Sequence, residues 1–174
     1  MLKISRESEI SLINVLIDHD IISGKDLPNI KKVSSEGNKS QIDAVFELKL
    51  TDENKILEVL VKEQNLEVVD LTKVQIDESF KAVLPSNYIN MNFVAPFKVE
   101  GNTLHIAISD SSKLGLMRNL KAITKKNIEL HAAKVSQISD FIEKLLSESG
   151  DVTADTIRKE NKEKTKTFDS DLGE

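Results

Sequence analysis

The sequence contains no cysteine and no tryptophan, and it has only one tyrosine, three prolines and six glycines. Without cysteine there is no disulfide, no thiolate metal site and no thiol nucleophile. Without tryptophan, and with one tyrosine, stacking platforms for single-stranded nucleic acid are poorly supplied. A formal net charge of −5 argues against nonspecific binding to a phosphate backbone as the main task. No run approaches the roughly 20 apolar residues that cross a bilayer, and the first residues lack a basic-then-apolar signal pattern. No phosphate-binding G-x-x-x-x-G-K-S/T loop occurs either, since Gly24-Lys25 has no glycine five residues before it. What is present is 39% hydrophobic and 30% charged, which suits a soluble globular core of modest size. A length of 174 residues suits one domain or two small ones.

The clearest local pattern runs from Asn87 to Asp110 and reads as a β-hairpin. Strand side chains alternate between faces, so Phe93, Phe97 and Val99 are expected to share one face with Leu104, Ile106 and Ile108. Glu100-Gly101-Asn102 is turn chemistry, with Gly101 free to take a positive φ. Pro96 cannot donate to a ladder, which places the first strand at an edge or gives it a bulge.

Before the hairpin, apolar residues recur at helical spacing from Arg6 to Asp18. Ser23 and Asp26 have the form of a capping box. A second helix lined by Leu27, Ile30 and Val33 either starts near Pro28 or is kinked there. Residues 34–40 read as a loop. Ile42, Val45, Phe46 and Lys49 then mark a third helix, and Thr51 reads as the N-cap of a fourth that ends near Gln64. The first 65 residues therefore read as a small helical bundle built from a helix–turn–helix unit repeated once.

Residues 66–71 are rich in β-formers and read as a short strand or extended linker. Asp77 caps a short helix stopped by Pro85, and the hairpin follows. Asp110, Ser111 and Ser112 are candidate caps for the next helix, in which Gly115 is an anomaly. Residues 127–133 form a third strand, and Ser136 is the expected cap of a last helix. The fold class is thus α+β: a helical subdomain (1–65), then a three-stranded sheet with packed helices in the order α-β-β-α-β-α (66–149). A polar tail follows (150–174), whose composition predicts disorder or a linker.

No catalytic, cofactor or metal site is predicted, and the chain is expected not to be an enzyme. His105 and His131 fall on strands opposite the aliphatic positions, near each other across a sheet. The sequence shows no His-x-x-x-His or His-plus-carboxylate cluster at ligand spacing. Asp110 beside its two serines reads as a helix cap. The helical region instead suggests a docking surface, with Glu7, Glu9, Ile10, Ile13, Ile17, Lys31 and Lys32 as candidate interaction residues.

A proline-ended short helix (Leu84-Pro85), a strand holding Pro96, a glycine turn and a strand closing on Ala107-Ile108-Ser109-Asp110 together resemble a known module. This is the N-terminal domain of the type II secretion and type IV pilus assembly ATPases, the secretion E-protein family. Val69-Asp70-Leu71 is similar to that family's lead-in, while Ser111 replaces the proline of its Ala-x-x-Asp-Pro signature. The resemblance implies a non-catalytic interaction or regulatory module, cytoplasmic or held at the inner membrane through its partners. Those partners would be cytoplasmic parts of the platform proteins or a polarity regulator, with no nucleic acid and no membrane insertion. Some family members bind cyclic di-GMP through an Arg-Leu-Gly motif with later glycine and glutamine positions. Laid on this chain, the arginine falls at Ser11, the glycines at Ile13 and Asp20, and the distal glutamine at Ser34. In a second copy only Gln64 fits, and nothing near Gln41-Ile42-Asp43 supplies Arg-Leu-Gly. The resemblance therefore implies an aliphatic frame without its ligand-facing residues. A cyclic di-GMP sensor and a free-standing adaptor for a polarity or motility protein are the rival readings.

Overall fold

The computed structural model describes residues 1–148, so the tail expected at 150–174 lies outside the described residues. The helical region consists of α1 (Arg6–Asp18), α2 (Leu27–Gly37), α3 (Gln41–Glu47) and α4 (Glu53–Gln64). Its two copies share one backbone frame. Ser5 and Ser40 cap α1 and α3 by accepting the N–H groups of Ser8 and Asp43. Asp20 (φ 56°) and Lys49 (φ 57°) then take the left-handed conformation. In each copy the next residue reaches back five positions, Ile21 N–H to the Leu16 carbonyl (2.8 Å) and Leu50 N–H to the Val45 carbonyl (3.2 Å). This closure satisfies carbonyls left over at the helix end. Left-handed Asn38 and Asn65 terminate α2 and α4. The copies differ in length, because α1 has 13 residues and α3 only 7.

Several local expectations shift by a few residues. The capping box at Ser23 and Asp26 is present, but it closes a 3-10 turn that leads into α2. Pro28 falls in the first turn of α2, where its missing N–H leaves no intrahelical bond unmade. Residues 34–37, expected in a loop, continue α2 until Asn38 stops it. Asp52, not Thr51, caps α4, its carboxylate accepting the Lys55 N–H at 2.9 Å. A carboxylate at a helix N-terminus also meets the positive end of the dipole.

In the second region, residues 67–69 pair with the third strand only around Val68 and Ala132. Asp77 caps α5 (Glu78–Lys81) as expected. The hairpin is shorter than the sequence pattern suggested, because Ser86–Asn92 forms α6. Pro85 stands at its extended N-cap, and Phe93 ends it with φ 53°. The hairpin proper is β1 (Ala95–Glu100) and β2 (Thr103–Ile108), turning at Gly101 with φ 58°. A register shift between Pro96 and Lys98 is the bulge that Pro96 demands. That extra residue carries Phe97 away from the face expected for it: its ring packs against His105 and His131. Val99 stays opposite Leu104.

Asp110 caps a 3-10 turn (Ser111–Leu116) that contains Gly115, and α7 (Met117–Thr124) begins after it. The chain then crosses over to β3 (Asn127–Ala132), which lies parallel to β2 and makes the sheet order β1-β2-β3. Ser136 does not cap α8 (Val135–Glu148). Its backbone N–H instead donates to Glu53 Oε2 of α4 at 3.1 Å, so a carboxylate from the helical region caps this helix. Leu12, Leu16, Ile42, Ile106, Ile138 and Leu145 are all fully enclosed and belong to one continuous core. The architecture is α+β.

Candidate functional site

The expected interaction residues separate into two groups. Glu7, Lys31 and Lys32 are exposed, and Ile10 is 48% exposed on α1. Ile13 is buried and Ile17 packs partly against the core. Glu9 has a structural task, because its Oε1 accepts the Gln41 N–H at 2.7 Å and so helps to fix the start of α3. The fold therefore leaves Glu7, Ile10, Lys31 and Lys32 on the surface, while Ile13 and Glu9 hold the frame.

The positions aligned with a dinucleotide motif show the same division. Ser11 turns its hydroxyl back to donate to the Glu7 carbonyl (3.0 Å), and Ile13 faces the interior. Asp20 is exposed and keeps the left-handed backbone that a glycine would favour. Between the end of α1 and α4 lies an apolar hollow lined by Val15, Leu16, Ile21, Ile56 and Leu60. The pair His19 Nδ1–Glu63 Oε1 (3.1 Å) stands at this hollow. The hollow is a shallow depression, far smaller than the ~300–1,000 Å³ of ordinary small-molecule pockets.

The helical and sheet regions meet along a polar seam. Ser8 Oγ donates to the Met91 carbonyl at 2.8 Å. Buried Lys113 donates from Nζ to the same Ser8 hydroxyl at 2.9 Å. Burial lowers the Lys113 pKa from its ordinary value, against the opposing pull of Asp110. Asp110 is itself buried and accepts from the Ser109 hydroxyl (2.5 Å) and the Ser112 N–H (3.0 Å), which is the capping role expected of it.

The sheet brings together residues that the sequence spacing did not. His105 on β2 and His131 on β3 touch, Nδ1 to Nε2, at 2.9 Å. Glu129, two residues before His131, lies within 3.6–3.7 Å of both rings. His105 and His131 are 7% and 9% exposed, and Phe97 stands edge-on to His131 with ring centroids 5.0 Å apart. Burial lowers the His131 pKa, with His105 acting in the same direction and Glu129 against it. The period-two pattern had already placed both histidines on one face. What it could not supply was the β2–β3 register, which sets Glu129 opposite His105.

Two helix–turn–helix units set against a hairpin, a crossover helix and a parallel third strand define the class: an α+β module of the type the sequence resemblance implied. The chain belongs to the MshEN domain family, whose domain matches residues 64–152. It is 22% identical over 143 residues to the type IV pilus assembly ATPase PilB of Myxococcus xanthus (strain DK1622). That match covers 82% of this chain and 25% of PilB, so the chain spans about a quarter of its relative's length. A solved structure of MshE with cdg superposes with a TM-score of 0.51 at 22% identity, covering 76% of this chain and 96% of that one. The N-terminal domain of XpsE gives 0.51 at 18% identity, covering 80% and 96%. At these identities the two structures share the fold. No helix among the described residues is long and apolar enough to cross a membrane.

Proposed function

We propose that the chain is a non-catalytic interaction and regulatory module of a type IV pilus or type II secretion system. It acts either as the N-terminal region of an assembly ATPase or as a stand-alone relative. The observation that carries this reading is the family match over residues 64–152 in a sequence without a phosphate-binding loop. The partners are cytoplasmic parts of the inner-membrane platform, which would hold the chain in the cytoplasm at the membrane surface. The docking face is the outward side of α1 and α2, where Ile10 sits half-exposed on the same helix as Glu7, and Lys31 and Lys32 project from α2. Apolar side chains ringed by charge are common at such contacts.

The test is capture by purified cytoplasmic platform segments of the wild-type chain and of a combined Glu7→Lys, Lys31→Glu, Lys32→Glu variant. Reduced capture of the variant supports the reading. Undiminished capture, together with loss on deleting residues 66–148, moves the docking face to the sheet region. Capture only by a polarity or motility protein assigns the free-standing adaptor role.

A second reading is favoured by one feature, the left-handed Asp20 at a position where cyclic di-GMP-binding relatives carry glycine. In that reading the helical repeat is a cyclic di-GMP sensor with altered contacts. The missing arginine at Ser11 and the inward-facing Ile13 predict weak or absent binding. Micromolar cyclic di-GMP binding by calorimetry would support this second reading, and its absence would rule it out.

A further inference from the structure

β2 and β3 run parallel and in register, with His105 opposite Glu129 and Ala107 opposite His131. Residues two apart on a strand project from the same face, so His105, Glu129 and His131 stand side by side. His105 Nδ1 and His131 Nε2 are 2.9 Å apart, and the Glu129 carboxylate spans the pair, with Oε2 3.6 Å from His105 Nδ1 and Oε1 3.7 Å from His131 Nε2. One donor atom from each residue lies within 4.8 Å of the other two. Donors held about 2.0–2.1 Å from a tetrahedral ion stand about 3.3–3.4 Å from one another. The observed separations, 2.9 Å to 3.7 Å, lie on either side of that spacing.

We propose that His105, His131 and Glu129 form a binding site for a divalent transition-metal ion of the zinc class, with a coordination position left open toward solvent. Two imidazoles and one carboxylate are a donor set for Zn²⁺ or Co²⁺, whereas Mg²⁺ and Ca²⁺ require oxygen ligands. The surroundings fit. Phe97 walls one side of the rings, and the exposed Glu129 marks the side from which an ion enters. His105 Nε2 is buried and makes no hydrogen bond among the described residues, while Glu100 Oε2 lies 3.7 Å from it. A carboxylate behind the far nitrogen of a ligating imidazole is the usual outer support of such sites, fixing the tautomer that leaves the other nitrogen free. Lys98 is the nearby cation, and it is paired with Glu100. The competing account, a plain hydrogen bond between two neutral imidazoles, leaves Glu129 beyond hydrogen-bond reach of both rings. An ion at this place would clamp β2 to β3 beside the hairpin.

The experiment uses the full 174-residue chain, stripped with a chelator and dialysed. It is titrated with Co²⁺ while the visible d–d bands are followed, and with Zn²⁺ by calorimetry. The expected result is one equivalent of either ion, loss of the Co²⁺ bands on adding Zn²⁺, and no binding of Mg²⁺. His131→Gln and Glu129→Gln are each expected to weaken Zn²⁺ binding about tenfold or more, and Zn²⁺ is expected to raise the melting temperature of the wild type but not of either variant. His19→Gln, which alters the separate His19–Glu63 pair, should change nothing. The proposal is overturned if the folded chain takes up no ion, if Mg²⁺ competes equally, or if one-equivalent binding survives both substitutions. Should His131→Gln fail to fold, Glu129→Gln carries the test, because its side chain is 53% exposed.

Discussion

The helical and sheet regions are built on opposite principles. In the sheet, β2 is buried from Leu104 to Ile108, so both of its faces carry core side chains and few positions are free to change. In the helical region each helix buries only one to four residues. Its form depends on end-closures: serine or aspartate caps at Ser5, Ser23, Ser40 and Asp52, and left-handed residues at Asp20, Asn38, Lys49 and Asn65. Such a frame tolerates replacement of outward residues without moving the backbone. That is how an aliphatic scaffold can persist while its surface chemistry changes.

Separating the regions should have the largest effect. A fragment of residues 66–149 is expected to keep a helix-and-sheet circular dichroism spectrum with a lower denaturant midpoint, since it loses the Ser8 contacts to Met91 and Lys113. A wholly unfolded fragment would show that the strands depend on α1. Next, Ile106→Ala removes a fully buried side chain from the central strand and should cost about 2–5 kcal/mol in urea unfolding. A change within error would place that side chain outside the core. In the helical region, Asp52→Ala removes the cap of α4 and should cost about 0.5–2 kcal/mol.

Lys113, at the seam, gives a pH signature. Its folded pKa lies below the ordinary value of 10.5, so the unfolded chain holds the proton to higher pH. Stability from this group is therefore present above 10.5 and is lost as pH falls through the folded value. Urea midpoints should rise through that alkaline window, and Lys113→Met should flatten the rise. The smallest effect is expected at Glu7, Lys31 and Lys32, whose charge reversal should move stability by no more than about 0.5 kcal/mol. Glu9→Lys should exceed that figure, because it breaks the contact to Gln41.

The sequence revealed the regions unequally, and for physical reasons. The second strand, its glycine turn and the third strand were legible because period-two alternation is local. So was α1, whose bounds match the periodic segment from Arg6 to Asp18. α6 was not, because Tyr88, Ile89 and Met91 include β-formers and stand directly before a strand. The i,i+4 spacing of Ile89 and Phe93, both buried, just after Pro85, was the signal for a helix. The face expected for Phe97 differs from the one it takes because Phe97 is the unpaired residue between Pro96 and Lys98, so it falls out of step with Val99, which stays opposite Leu104. Ser136 was misjudged because the group that caps α8 belongs to Glu53, 83 positions earlier. Glu129 and His131 stand two apart on one strand and so share a face in the sequence itself, but His105 joins them only through a parallel pairing made after a crossover helix.

The bulge at Pro96 has a bearing on how other chains can approach. β1 is an outer strand, and an outer strand ordinarily offers its free N–H and carbonyl groups as a template for β-augmentation. Pro96 has no N–H to offer, and the shift that follows it breaks the ladder's even spacing within two residues. At the opposite edge, Ala132 already exchanges backbone bonds with Glu67 and Val69. An extended peptide seeking to lengthen this sheet finds an interrupted rail on one side and, on the other, a rail engaged at its Ala132 end. Both features oppose extension of the sheet by a further strand, each at its own edge.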